Sequence, residues 1–262
     1  MCYAEEKVVF DMNQEEILVR STMDETLQPS LFYRADAPGK RPLLVGLHTW
    51  SHDRFNQIRR MLPLAEKHGF HLLLPDFRGC NLPKNPECRK ACGSPLAKQD
   101  IVDAVDFVLE REEVDRDNVF LLGLSGGAHM AFLMAGFCPE RFRAIGAFSP
   151  ITDLARWETE NANYRESILA CCGDDREEML RRSPVSFVET IARANLKIFH
   201  GKYDRTVSFR HSLDLYEAVL AVKPDASVYL DLYDGKHDMD MNVAEYWILS
   251  QYRGTENVEI TG

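Results

Sequence analysis

From residue 42 onward, solid apolar runs alternate with amphipathic stretches of helical length. The apolar runs are PLLVGLH, FHLLLPD, NVFLLGL, RAIGAFS, LKIFHG and SVYLDLY. Such runs are typical of parallel strands buried on both faces. The helical stretches are DRFNQIRRMLPLAEKHG, SPLAKQDIVDAVDFVLEREE, GGAHMAFLMAGFC, SFRHSLDLYEAVLAV and MDMNVAEYWILSQY. The alternation predicts right-handed crossovers and a mostly parallel, doubly wound α/β sheet with helices on both faces.

Three segments depart from this alternation. Before residue 40, KVVFDM, EILVRST and LQPSLFYRAD are short β-rich runs that predict antiparallel strands at an edge of the sheet. Residues 150–194 hold several helical pieces between two consecutive strands, and we interpret them as a small lid insertion over the carboxyl edge, where open α/β sheets bind ligands. The tail RGTENVEITG is polar and lacks a helical stripe.

Length and charge limit the classes of protein to consider. A chain of 262 residues is within the range of one large α/β domain, so we expect a single domain over residues 1–262. The net charge of −10 argues against binding to nucleic acid or to anionic lipid. No apolar run reaches the roughly 18 residues that a membrane helix needs, and two early glutamates argue against a signal peptide. We therefore expect a cytoplasmic protein.

The seven cysteines are an odd number, which favours reduced thiols over a disulfide framework. Cys80, Cys88 and Cys92 have spacings that match no standard zinc motif, and no histidine lies among them. Cys171 and Cys172 are adjacent, where a mutual disulfide would be strained. The sequence therefore predicts free thiols and no metal site.

The stretch 123–127, GLSGG, has the form G-x-S-x-G between a predicted strand and a predicted helix. Glycines are needed there because the turn is sharp and its backbone angles are unusual. Such a turn exposes the hydroxyl of Ser125 at the start of a helix, whose free N–H groups favour negative charge. Ser125 is thus a candidate nucleophile, and the N–H of Gly126 is a candidate oxyanion donor.

A nucleophilic serine needs a histidine base and a carboxylate that orients it, and this turn predicts the order serine, acid, histidine. Asp204 follows the predicted strand LKIFHG, and His237 follows SVYLDLY. Both residues therefore lie at the carboxyl ends of parallel strands, on the same edge of the sheet as Ser125. We expect these three side chains to act together.

Other residues stay open for both roles. The alternatives for the acid lie near the histidine or after the next strand: Asp234, Asp238, Asp240 and Asp153. The alternatives for the base are His200 at a strand end and His211 in a helical pattern. His129, one turn into the helix after the serine, is expected to be a packing residue.

The ordered set HTW, DFRG, SPLAKQD, GLSGG, HGKYDRTV and GKHD resembles the α/β-hydrolase superfamily, and within it the prolyl-oligopeptidase-like and small esterase branch. The resemblance runs from about residue 40 to residue 240. It implies an eight-stranded sheet with Ser125 as nucleophile, His237 as base and then acid, and Asp204 as the carboxylate that fixes the imidazole tautomer. That chemistry requires no metal or organic cofactor.

One motif departs from the family pattern. Related hydrolases commonly carry His-Gly where this chain has His48-Thr49, and a Cβ restricts backbone angles that glycine allows. By position, the N–H of Trp50 is the second oxyanion donor, and its indole is either a wall of the acyl pocket or part of the core. In the insertion, Trp157 and Tyr164 are further pocket candidates. The resemblance also implies that Asp76 and Arg78 brace the loop beside the site.

The substrate class is less constrained, because one triad serves esters, amides and peptides. Prolyl-oligopeptidase relatives that cleave peptides usually carry a β-propeller ahead of the hydrolase domain, and only about forty residues precede the hydrolase pattern here. We therefore expect hydrolysis of a small or medium carboxylic ester. A serine peptidase acting on short peptides and a non-catalytic hydrolase-like binding protein are the alternatives, and a homodimer is possible.

Overall fold

The computed structural model describes residues 13–253, which contain one eight-stranded sheet. Its strands are β1 (Gln14–Arg20), β2 (Leu27–Tyr33), β3 (Arg41–Leu47), β4 (His71–Pro75), β5 (Val114–Leu124), β6 (Ala144–Phe148), β7 (Leu196–Gly201) and β8 (Val228–Tyr233). They lie in the order β1-β2-β4-β3-β5-β6-β7-β8, and only the β1–β2 and β2–β4 pairs are antiparallel. The predicted mostly parallel sheet with antiparallel strands at one edge is confirmed. The predicted strand KVVFDM and nearly all of the tail lie outside the described residues.

The helices are α1 (Ile58–His68), α2 (Pro95–Arg111), α3 (Gly126–Phe137), α4 (Leu154–Glu160), α5 (Ala162–Cys172), α6 (Arg176–Arg181), α7 (Val188–Ile191), α8 (Arg210–Val222) and α9 (Met241–Gln251). Every predicted helical stretch contains one of them. The hydroxyl of Ser94 caps α2 by accepting a hydrogen bond from the N–H of Ala97 at 3.1 Å. Within residues 13–253, no helix combines the length and the apolar character needed to cross a membrane.

Side chains from the two faces of the sheet enter two separate hydrophobic clusters. Leu43 and Val45 of β3 pack in one cluster with α2, α3 and α8, whereas Leu44 packs in the other with α1 and α9. Because helices cover both faces of the sheet, the side chains of a central strand are buried whichever face they point to. This explains why these strands read as continuous apolar runs rather than as alternating patterns.

Residues 150–194 form the segment between β6 and β7 that contains α4 to α7, here called the insertion. Its buried side chains, among them Trp157 and Ile168, share a third hydrophobic cluster with Trp50 and Cys92. Those two partners belong to the loops that follow β3 and β4. The insertion therefore packs over the carboxyl edge of the sheet.

A buried ion cluster holds the loop after β4. The Arg78 side chain is fully buried, and its Nη1 and Nη2 lie 2.9 and 3.0 Å from the carboxylate oxygens of Asp24. Its Nε and Nη2 donate to the carboxylate of Asp100. Burial alone would lower the pKa of Arg78, but these two carboxylates raise it. Asp76 instead accepts from the backbone N–H of Arg54 at 3.0 Å, so Arg78 and Asp76 brace the loop through different partners.

We expect Arg78→Met to lower the free energy of unfolding by about 3–5 kcal/mol, because it leaves the buried carboxylate of Asp100 without its charged partner. Urea unfolding at neutral pH measures the change. Arg34→Met is the control, since Arg34 is half exposed where it pairs with Glu112, and it should lose less than about 1 kcal/mol. Equal losses for the two variants would contradict the structural role of Arg78.

Candidate active site

Ser125 lies at a sharp turn between β5 and α3, with a φ of 57° and a ψ of −117°. A positive φ is uncommon for any residue other than glycine, so the surrounding structure must impose it. The N–H of Ser125 donates to the carbonyl of Phe148 on the neighbouring strand at 2.8 Å. A Cβ on Gly123 would lie 2.3 Å from the carbonyl of Gly127, because the chain folds back on itself here. The predicted need for glycine beside the serine therefore has a direct steric cause.

Two backbone N–H groups lie close together beside this turn. A Cβ on Gly126 would lie 2.4 Å from the backbone nitrogen of Trp50, so the two backbone segments are in direct contact. Neither N–H donates a hydrogen bond to any other residue of the described range 13–253. Paired, unengaged N–H groups of this kind can stabilise a developing oxyanion. The structure thus places side by side the two N–H groups that the sequence proposed as oxyanion donors, and their role stays a prediction.

The loop that carries Trp50 is well supported. Thr49 is not among the described residues with a positive φ, so its side chain introduces no backbone strain. Its N–H donates to Asn56 Oδ1 at 3.1 Å, and the Trp50 carbonyl accepts from the N–H of Asn81 at 2.9 Å. The Trp50 indole is 2% exposed and donates to the Ser167 hydroxyl at 2.9 Å. The indole of Trp50 is therefore part of the core rather than a wall of the acyl pocket.

The two aromatic residues of the insertion have different positions. Trp157 is fully buried, contacts the Trp50 ring edge to face at 5.0 Å, and donates from Nε1 to the carbonyl of Thr206 at 2.9 Å. This is a correction to its expected place in the pocket, because the indole supports the loop beyond Asp204 instead. Tyr164 stacks on Trp157 at 4.4 Å and lines a cavity of about 480 Å³.

Asp204 and His237 are in direct contact, with 2.7 Å between Oδ2 and Nδ1. The Asp204 side chain is fully buried, and its Oδ1 accepts from the N–H groups of Thr206 and Val207 at 2.8 and 3.0 Å. Burial alone would raise the pKa of Asp204, but hydrogen bonds from His200, His237 and Val207 hold it well below its usual value. Asp204 is therefore a buried, ionised carboxylate.

His200 contacts the carboxylate as well, which the sequence did not indicate. Its Nε2 lies 3.2 Å from Asp204 Oδ2 and 3.0 Å from the Val207 carbonyl, and its Nδ1 lies 2.7 Å from the Ser212 hydroxyl. This ring is fully buried, so it has no access to a substrate. The only feature of the sequence that could have indicated this contact is the position of His200 at a strand end, four residues before Asp204.

The alternative acids all have other partners. Asp234 pairs with Lys202 and Asp238 pairs with Arg60, whereas Asp240 and Asp153 cap α9 and α4. The alternative base His211 is fully buried and contacts Glu160 at 3.2 Å. His129 is fully buried too, with Nδ1 2.9 Å from the Ile151 carbonyl. Of the candidate bases, His237 and His200 both contact Asp204, but the His200 side chain is fully buried whereas that of His237 is 22% exposed.

A close backbone approach holds the loop that carries His237. A Cβ on Gly201, the last residue of β7, would lie 2.4 Å from the carbonyl oxygens of both Gly235 and Lys236. The N–H of Tyr203 also donates to the Gly235 carbonyl at 2.9 Å. The loop after β8 therefore rests directly on the end of β7, which places the imidazole against the acid.

The serine is positioned on the same edge, because β5, β6, β7 and β8 are consecutive parallel neighbours. Within residues 13–253, the Ser125 hydroxyl makes no hydrogen bond, so its contact with the His237 imidazole is not formed in this structure. In unliganded enzymes such bonds are often long and tighten only when substrate binds.

The cysteines of the described range are free thiols. Cys92, Cys171 and Cys172 are buried together in the third hydrophobic cluster, where Cys88 also packs. No group of three or more potential metal ligands is assembled within residues 13–253.

The sequence model described as the prolyl oligopeptidase family matches residues 93–259. The acylamino-acid-releasing enzyme of Homo sapiens is 28% identical over 194 residues, which cover 68% of this chain and 26% of that protein. The structure of the Pyrococcus horikoshii acylaminoacyl peptidase matches with a TM-score of 0.69 and 16% identity, over 86% of this chain and 37% of that one. An esterase from Pyrococcus furiosus matches with a TM-score of 0.67 and 18% identity, over 90% and 89%.

The chain thus spans about a quarter of the length of the human relative. At identities below one fifth, the two structural matches show a shared fold. That fold is the α/β-hydrolase fold, so the fold class predicted from the sequence is confirmed.

The depressed pKa of Asp204 has a consequence for stability. An aspartate in the unfolded chain titrates near 3.9, so the carboxylate contributes stability above about pH 4 and loses it as the pH falls further. We expect the difference in unfolding free energy between the native sequence and Asp204→Asn to be largest near pH 7 and to shrink below pH 4. Urea titrations at several pH values measure it, and a difference independent of pH would contradict the assignment.

Proposed function

The chain belongs to the prolyl oligopeptidase family, and on that premise we propose that it is a serine hydrolase that cleaves short peptides through an acyl-enzyme on Ser125. The observation that carries the mechanism is the 2.7 Å contact between Asp204 and His237, on the sheet edge where Ser125 turns outward. A peptide substrate fits the family better than the small ester that the sequence favoured. Ester hydrolysis by the same acyl-enzyme is the second candidate.

In the proposed reaction, His237 donates its Nδ1–H to Asp204, which leaves Nε2 free to act as a base. The Ser125 hydroxyl attacks the scissile carbonyl carbon and passes its proton to Nε2. His237 then gives this proton to the leaving nitrogen as the carbon–nitrogen bond breaks. A water molecule, activated by the same imidazole, hydrolyses the acyl-enzyme and regenerates the serine.

Two features lower the energy of the charged intermediates. The unengaged N–H groups of Gly126 and Trp50 are proposed to bind the oxyanion, and removal of one such donor typically lowers kcat by about 10² to 10³. The buried carboxylate of Asp204 stabilises the imidazolium, because its low pKa keeps it ionised. These features weigh against the non-catalytic alternative, which rested on the altered loop at Thr49.

We propose that the insertion forms a rigid wall of the part of the site that binds the acyl group of the substrate. Ser167 holds the Trp50 indole, and Trp157 holds the loop after the acid. The adjoining cavity of about 480 Å³ is lined by Ser51, Tyr164 and neighbouring polar residues, a volume that suits one or two residues of a peptide. The names of the relatives suggest N-acylated peptides as the first substrates to test. The cytoplasmic location and the homodimer stay predictions.

A fluorophosphonate probe tests the nucleophile without knowledge of the substrate. We expect one covalent adduct, on Ser125, and none on Ser125→Ala. Ser149→Ala is a matched control, because Ser149 also directly follows a strand, has a positive φ and is buried. This variant should be labelled like the native sequence. Peptide-level mass spectrometry locates the adduct. Equal labelling of Ser125→Ala would exclude Ser125 as the nucleophile.

A matched substrate pair separates peptidase from esterase activity. For each substrate, kcat/KM is divided by the rate constant for hydrolysis of the same compound by hydroxide. We expect this ratio to be higher for N-acetylalanine p-nitroanilide than for the p-nitrophenyl ester of N-acetylalanine. The reason is that a peptidase must stabilise the departure of a poor nitrogen leaving group, to which His237 gives a proton. Initial rates at 405 nm measure both. Turnover of the ester alone would favour the esterase reading.

A further inference from the structure

A second cavity, of about 490 Å³, opens beside His237. Its lining consists of Tyr203, Arg205, Thr206, Lys236 and His237. In the proposed reaction the His237 imidazole protonates the leaving group, so the departing part of the substrate must lie next to this ring. The cavity beside His237 is therefore the place for the leaving group. It shares Arg205 and Thr206 with the cavity at Tyr164, which adjoins the oxyanion loop at Ser51.

Two cations at this cavity have no anionic partner. The side chains of Arg205 and Lys236 are exposed, and neither forms an ion pair or a hydrogen bond with any residue in the described part of the chain. Of the acids close to Lys236 and His237 in the sequence, Asp234 lies 2.6 Å from Lys202, and Asp238 lies 2.9 Å from Arg60. Glu166 borders the adjoining cavity, which it shares with Arg205.

This local positive charge contrasts with the rest of the molecule, whose net charge is −10. Basic residues are outnumbered by acidic ones, 31 to 41, yet the described residues that line this cavity include an arginine and a lysine and no acidic side chain. Two neighbouring cations repel each other unless an anion lies between them. A bound carboxylate would supply that anion, and a guanidinium can grip it with two parallel hydrogen bonds.

The positions of the two cations also limit where the anion lies in the substrate. Arg205 directly follows the acid Asp204, and Lys236 directly precedes the base His237. Both side chains therefore start at the catalytic groups, and their charges can reach only the first residues beyond the scissile bond. A carboxylate at the end of a long leaving peptide would lie outside the cavity.

We propose that Arg205 and Lys236 bind a free carboxylate on the leaving group, an assignment of substrate class that rests on the proposed function. The preferred substrates are then short N-acylated peptides from which one or two residues with a free C-terminus depart. Amidated or longer peptides lack this contact.

Two matched substrate pairs test the proposal. The peptide pair is N-acetyl-alanyl-alanine and its C-terminal amide, and the ester pair is 4-acetoxybenzoate and 4-acetoxybenzamide. Each kcat/KM is divided by the rate with hydroxide, which removes differences in intrinsic reactivity. We expect the carboxylate member to be preferred by about tenfold in each pair, and the preference to weaken between 20 and 500 mM salt because the charges are exposed.

Variants locate the preference. Arg205→Met and Lys236→Met should each reduce the carboxylate-to-amide ratio by about threefold or more, as removal of a partly exposed charge contact does. Lys202→Met is the matched control, because its ammonium already pairs with Asp234 and is not among the lining side chains. It should keep the native ratio. Fluorophosphonate labelling of every variant reports an intact nucleophile.

The outcomes separate this proposal from the proposed function. Equal turnover of the carboxylate and amide members would overturn carboxylate binding while leaving the hydrolase intact. Turnover of the ester pair alone, with the carboxylate preferred, would overturn the peptidase proposal and support the carboxylate site. A preference retained in both Met variants would move the site away from Arg205 and Lys236, and no turnover of any of the four would overturn both proposals.

Discussion

The buried carboxylate of Asp204 imposes the constraint from which the arrangement of the carboxyl edge follows. A fully buried anion is strongly destabilising unless hydrogen-bond donors surround it. Two backbone N–H groups, from Thr206 and Val207, and two imidazoles, from His200 and His237, meet that need. The loop after β7 must therefore curl around the carboxylate, and the loop after β8 must bring His237 down onto it.

The insertion extends this constraint to the other half of the site. Its Trp157 and Asn161 both donate hydrogen bonds to the carbonyl of Thr206. The N–H of Thr206 in turn donates to the Asp204 carboxylate, so the insertion holds the loop that carries the acid. A little further along, Ser167 accepts from the indole of Trp50. One segment thus holds both the acid loop and the oxyanion loop. A change that shifts α5 would be felt by both, because protein interiors are packed densely and transmit displacement.

Much of the fold and of the candidate site was predictable from local patterns in the sequence. The apolar runs indicated the strands, the spacing of GLSGG indicated the turn at Ser125, and the chain order indicated Asp204 and His237. The partners of Arg78 were not predictable, because its carboxylates are 54 and 22 residues away and an ion pair leaves no periodic signal. α1 begins at Ile58 rather than near residue 53, because the preceding residues form turns.

The aromatic residues of the insertion show a further limit of sequence reasoning. An aromatic side chain near a site is apolar enough to line a pocket and large enough to fill a core, and its neighbours along the chain do not separate the two roles. Trp50 and Trp157 each have a core position because another element covers them and accepts a hydrogen bond from the indole N–H. Tyr164, one helix further along, borders open space.

The distribution of unsatisfied groups connects the fold to its chemistry. Buried polar groups in proteins are nearly always hydrogen-bonded, and at this edge the carboxylate of Asp204, the imidazoles of His200 and His237 and the indoles of Trp50 and Trp157 have partners. Besides the Ser125 hydroxyl, the N–H pair of Gly126 and Trp50 and the cations of Arg205 and Lys236 are left without partners in the described chain beside Ser125 and His237. The two N–H groups and the two cations are positive in character; the N–H pair lies beside Ser125, and the cations border the cavity at His237. A substrate that brings one carbonyl oxygen and one carboxylate would satisfy both sets at once.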